Sequence, residues 1–128
     1  MVCPLMDARR DQAYTGLYEF TPEGMGILLP QCAVSIEEIV GNINRMGRAV
    51  VFLGDGVPVF RGYIGENCKV PFSFAPAHLN KQRAAAVAAL AFTYCKEGKV
   101  QTAASHSPEY LRLSQAERER LAKGQADG

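Results

Sequence analysis

The chain has 128 residues, 48% of them apolar and 21% charged, with a formal net charge of +1. That length suits one domain with a real core, and the composition excludes a disordered or collagen-like chain. Lys and Arg are scattered, and the densest charged run, Glu117-Arg118-Glu119-Arg120, alternates in sign, so direct nucleic-acid binding by this chain alone is disfavoured.

The longest low-charge stretch, Ala84 to Cys95, falls far short of the roughly 20 apolar residues that a membrane span requires. The opening MVCPLMDARR has no signal-peptide architecture, so a cytoplasmic protein is expected. Cys3, Cys32, Cys68 and Cys95 are dispersed and form no C-x-x-C pair. They are expected to be four buried, reduced thiols rather than a zinc site or a redox pair.

In chain order, Cys3 to Asp7 reads as a short strand, and Gln12 to Phe20 follows as a second with partial alternation. Asp7 to Asp11 is then a hairpin connection. Thr21-Pro22-Glu23-Gly24 supplies another turn, and Met25 to Val34 returns as a third strand, with Pro30 indicating an edge position or an early end. Ser35 caps a helix in which Ile36, Ile39, Val40 and Ile43 share one face and Gly47 ends the run. The apolar run Ala49 to Leu53, stopped by Gly54-Asp55-Gly56, predicts a central strand buried on both faces.

Between Val57 and Pro76, prolines and glycines interrupt apolar residues that fit a short helix followed by an extended piece. Asn80 to Lys96 is alanine-rich, with Val87, Leu90, Ala91 and Tyr94 at helical spacing and Gly98 beyond, and predicts a helix. From residue 107 to 128 the pattern is a tail. In it Ser114 and Glu117 make a capping box that announces a short helix. One domain over residues 1–128 is expected. Its class is α/β, a mixed sheet with an antiparallel meander and packed helices, resembling the ribonuclease-H-like half of an actin-type ATPase fold.

Three strings carry a more specific resemblance: Pro4-Leu5-Met6-Asp7-Ala8-Arg9-Arg10 running into Gln12-Ala13-Tyr14, then Phe52-Leu53-Gly54-Asp55-Gly56, then Pro108-Glu109-Tyr110-Leu111-Arg112 with Ser114-Gln115-Ala116-Glu117. In order and spacing they resemble the TsaB family, also called YeaZ. That family also carries an N-terminal half with a D-T-S-type phosphate loop and a G-P-G-S-F-T-G-L-R segment. Neither occurs here, so the resemblance is to a C-terminal portion. It implies a non-catalytic scaffold role in making threonylcarbamoyladenosine next to the anticodon of tRNA. The implied partners are TsaD-like and TsaE-like proteins, with tRNA reached only through the complex. Loss of a covering half would also expose apolar surface, so self-association is expected.

The candidate site residues follow. Gly54, Asp55 and Gly56 close a strand at its carboxyl end, where glycines allow a nucleotide phosphate close approach, although a tight turn at the strand end is the default explanation of them. Arg9 and Arg10 lie in the hairpin connection, either as solvated ion pairs with Asp7 and Asp11 or facing a cleft or partner. Tyr110, Leu111 and Arg112 either pack the tail on the core or meet a partner. His78 and His106 lack metal-ligand spacing, no G-x-S-x-G elbow occurs, and no catalytic residue, metal or cofactor is assigned. Two other readings stay open: a stand-alone small hydrolase using a Cys/His pair, and a vestigial nucleotide-binding module.

Overall fold

The computed structural model describes residues 1–111. Its frame is a five-stranded sheet of order β3-β2-β1-β4-β5. Strands β1 (Val2–Asp7), β2 (Gln12–Thr21) and β3 (Gly24–Ser35) form the antiparallel meander that the sequence predicts. Strands β4 (Val50–Leu53) and β5 (Phe72–Phe74) extend the sheet in parallel from β1. Helix α1 (Ile36–Met46) links β3 to β4, and α2 (Val57–Asn67) links β4 to β5. A 3-10 turn, Ala77–Leu79, precedes α3 (Ala84–Lys96).

Local chemistry explains α1 fully. The Ser35 hydroxyl accepts a hydrogen bond from Glu38 N at 3.1 Å, Glu37 and Glu38 complement the positive end of the helix, and Gly47 stops it at φ 66. Its four apolar residues at helical spacing, Ile36, Ile39, Val40 and Ile43, are all buried. Helix α2 places Pro58 in its first turn, where a missing N–H costs nothing, and buries Val57, Phe60 and Ile64. Against these helices the sheet presents Cys3, Leu5, Ala13, Leu17, Val50 and Phe52, and this single layer is the hydrophobic core. Asn44 ties the two helices together. Its Nδ2 donates to Asn67 O at 2.9 Å and its Oδ1 accepts from Lys69 N at 2.8 Å.

Three expectations need correction. β4 is not the central strand: β1 holds that place, and Val51 of β4 is 37% exposed because both packed helices lie on the opposite face. β1 carries Pro4, a residue that rarely sits in a central strand. It is tolerated because the ladder with β2 is interrupted between Val2 and Leu5, where the missing N–H is not required. The alanine-rich helix starts at Ala84 rather than Asn80, because Asn80 closes the preceding 3-10 turn. Of the cysteines, only Cys3 is buried: Cys32 and Cys68 are half-buried and Cys95 is exposed. Pro30 lies, as its ring demands, on an edge strand, although β3 continues past it to Ser35. The capping box at Ser114 and Glu117, and Arg112, lie outside the described residues.

Candidate functional site

β1 and β4 run parallel side by side, so their carboxyl ends come together, and sheets of this type leave a ligand crevice at such an end. Gly54-Asp55-Gly56 follows β4 there, and Ala8-Arg9-Arg10-Asp11 follows β1. The amino ends of α1 and α2 face the same way: α2 begins directly after Gly56, and Ile36 N of α1 donates to Asp11 O at 3.1 Å. The structure therefore joins two of the motifs read separately in the sequence.

The glycines have an internal cause. Gly54 has φ 112, and a Cβ placed on it would lie 2.1 Å from the Leu5 carbonyl oxygen. Gly56 N donates to that same oxygen at 2.9 Å, and a Cβ on Gly56 would lie 3.0 Å from it. The close approach that glycine permits is made by the chain's own β1 backbone. Asp55, at the tip, is exposed.

The β1–β2 connection is strained. Arg9, Arg10 and Asp11 have φ of 64, 56 and 57, three successive non-glycine residues in the left-handed region, each costing on the order of 1 kcal/mol. Ala8 N to Gln12 O at 2.9 Å and Gln12 N to Arg9 O at 3.1 Å hold the turn. Asp7 adds to this, its Oδ1 accepting from Arg9 N at 2.8 Å while its Oδ2 lies 3.2 Å from the Arg9 guanidinium. The Arg9 side chain is nonetheless 86% exposed, so the turn displays charge rather than burying it. An arginine pair beside two helix amino ends is chemically suited to an anionic or carboxylate-rich surface.

The tail residues lie elsewhere. Glu109 accepts from Gln31 Nε2 of β3 at 2.6 Å, which brings the tail to the sheet edge, and Tyr110 is 84% exposed rather than packed on the core. Leu111 is half-buried.

Nucleophilic chemistry finds little support. Burial pushes the Cys3 thiol up to about 12, and its contact is Thr15 Oγ1 at 3.4 Å rather than a histidine. Burial, and then Glu38, also raise Cys32. Neither thiol is activated. His78 lies in the 3-10 turn, and His106 Nδ1 meets Gln101 Oε1 at 2.9 Å. Among the described residues no three His, Cys, Asp or Glu side chains gather as a metal site, and no helix is long and apolar enough to cross a membrane.

No family model matches the sequence. The tRNA threonylcarbamoyladenosine biosynthesis protein TsaB of Bacillus subtilis is 27% identical over 117 residues, 91% of this chain and 49% of that protein. The chain is similar to TsaB. Two solved structures share its fold. A Pseudomonas aeruginosa protein with similarity to peptidase YeaZ superposes with a TM-score of 0.66 at 22% identity, over 87% of this chain and 49% of its own. YeaZ of the same organism gives 0.61 at 21%, over 85% and 49%. The fold is thus the ribonuclease-H-like, actin-type α/β arrangement that the element order implied. The chain spans about half the length of the relatives it matches.

Sequence reading missed the open side of the sheet. Tyr14, Tyr18 and Phe20 alternate with Ala13, Thr15 and Leu17 along β2, so both faces of that strand carry large apolar groups. That two-sided pattern was the available signal.

Proposed function

We propose that this chain is a non-catalytic interaction subunit of the cytoplasmic machinery that makes threonylcarbamoyladenosine in tRNA. In this reading it serves a TsaD-like catalytic partner, a TsaE-like ATPase joins them, and tRNA is reached only through the assembly. The similarity to TsaB over 117 residues is the observation that carries the reading. Support comes from the displayed Arg9 and Arg10, which suit recognition of a partner, and from Cys3 and Cys32, which are not activated.

The test is reconstitution. TsaC-, TsaD- and TsaE-like proteins are combined with tRNA, threonine, bicarbonate and ATP, with and without this chain, and modified adenosine is measured by mass spectrometry of the nucleosides. The chain alone is expected to yield none, and its addition to raise the yield. Changing Arg9 and Arg10 to Ala should weaken its capture of the TsaD-like protein. If the chain neither binds that protein nor changes the yield, the proposal fails.

A further inference from the structure

The sheet has two edges, and they are guarded differently. β3, at one end, carries Pro30 and register shifts against β2, and its Gln31 is tied to Glu109 of the tail. β5, at the other end, pairs with β4 alone. Val50 N donates to Pro71 O at 3.1 Å and Ala75 N to Phe52 O at 2.8 Å, so Pro71 and Ala75 turn their polar groups toward β4. Backbone groups alternate sides along a strand, so Ser73 does the same, and the N–H and C=O of Phe72 and Phe74 point outward. Among the described residues no hydrogen bond meets them there. Beside this free edge the Arg61 guanidinium of α2 lies 4.5 Å from the centre of the Phe74 ring. Arg61 is exposed and forms no ion pair among the described residues, although Glu66 is on the same helix.

We propose that an extended, carboxylate-bearing segment of another protein adds to the sheet at this edge, pairing its backbone with β5 and offering an Asp or Glu to Arg61. Paired residues of neighbouring strands place their side chains on the same face. The residue opposite Phe74 therefore meets Arg61, which the ring holds in place while its donors stay available to a carboxylate. The residue opposite Phe72, two positions along, comes beside an apolar hollow of about 340 Å³ between Met1, Val51, Pro71 and Phe72, and is apolar. Length makes the acidic anchor necessary. Pro71 and Pro76 confine β5 to Phe72–Phe74, and so short an edge is protected against indiscriminate pairing. The outward groups of Phe72 and Phe74 are too few to hold a strand by themselves, so a side-chain contact must supply the rest and set the choice of partner. Charge agrees: from Cys68 to Pro76 the only charged residue is the exposed Lys69, so an acidic segment is attracted and a basic one repelled. This inference does not rest on the family reading.

The test is a titration of the isotopically labelled 128-residue chain, read from its amide NMR spectrum. The probe is the acetylated and amidated peptide Thr-Val-Thr-Glu-Thr-Val-Thr, whose symmetric spacing serves either strand direction. The amides of Phe72 and Phe74 should shift saturably, and that of Ser73, which already faces β4, should move less. With Gln in place of Glu the peptide should bind about fivefold more weakly, and with Lys it should not bind. Arg61→Gln in the chain should weaken the Glu peptide to the level of the Gln peptide and leave the Gln peptide unchanged. Arg61 is exposed, so the rest of the variant's spectrum should match that of the unaltered chain. The absence of saturable shifts at Phe72 and Phe74 overturns the proposal. So do shifts that fall on β3 instead, equal binding of the Glu and Lys peptides, or an Arg61→Gln chain that binds the Glu peptide as before.

Discussion

The two sides of one sheet are built from similar residues and end differently. On the closed side, Leu5, Leu17 and Phe52 meet Ile39, Ile43 and Ile64, all fully buried, because α1 and α2 each present a narrow apolar stripe matched to that face. On the open side Tyr18, Phe20, Ile27 and Leu53 are as apolar, but the α3 that faces them is apolar all round and buries no residue. Apolar content is therefore no measure of cover. What closes a face is a helix whose stripe is bounded by polar residues and whose ends are tied to the sheet. α1 has both: its cap at Ser35 and its link from Ile36 N to Asp11 O fix it in place.

The strongest way to break the closed side is at its hinge. Gly54→Ala forces a Cβ to within 2.1 Å of the Leu5 carbonyl at φ 112, a backbone-on-backbone collision that no rotamer relieves. A loss of more than about 4 kcal/mol is expected, enough to unfold a domain of this size, and circular dichroism of the purified variant decides it. Next in size is a matched pair. Phe52→Ala removes a fully buried ring that touches Phe72 and Phe74, and should cost about 3–5 kcal/mol in urea unfolding. Phe20→Ala on the open side should cost the monomer no more than about 0.5 kcal/mol. Equal losses would mean that the two faces are equally packed.

Legibility in the sequence followed the same division. α1 was readable to the residue because cap, acidic first turn, apolar period and terminating glycine are all local. β4 was misplaced because its apolar run records burial on one face and neighbourhood in the chain, whereas the centre of the sheet is fixed by the crossover that lays β4 parallel to β1. At the candidate site, Gly54-Asp55-Gly56 and the Arg9-Arg10 turn were each visible as motifs. Their juxtaposition was not, since it depends on the contact of Gly56 with Leu5, 51 residues earlier in the chain. Nor does any composition rule announce that Arg9, Arg10 and Asp11 all take left-handed backbone, a conformation usually left to glycine.

A smaller effect should come from titrating the closed side. The Cys3 thiol is raised by burial from an ordinary 9.0 to about 12, so the folded state holds its proton where the unfolded chain has lost it. Below pH 9 both states are protonated and the group has no pH dependence. Between about pH 9 and 12 the unfolded chain binds fewer protons, and stability falls as pH rises. Urea midpoints measured below and within that window should show the decline, and Cys3→Ala should flatten it. Iodoacetamide at neutral pH should label the exposed Cys95 well before Cys3, which is both protonated and enclosed.

The finest test concerns the helix end that anchors the closed side. Ser35→Ala deletes the acceptor for Glu38 N without touching the core, because Ser35 contributes only its hydroxyl to the first turn. The expected loss is about 1 kcal/mol, read from the urea midpoint. Ser35→Asp restores an acceptor and adds a charge at the positive end of α1, so it should return the wild-type midpoint or exceed it. If Ser35→Ala and Ser35→Asp lose equally, the cap is not what holds α1, and the tie from Ile36 N to Asp11 O is the anchor that distinguishes the closed face from the open one.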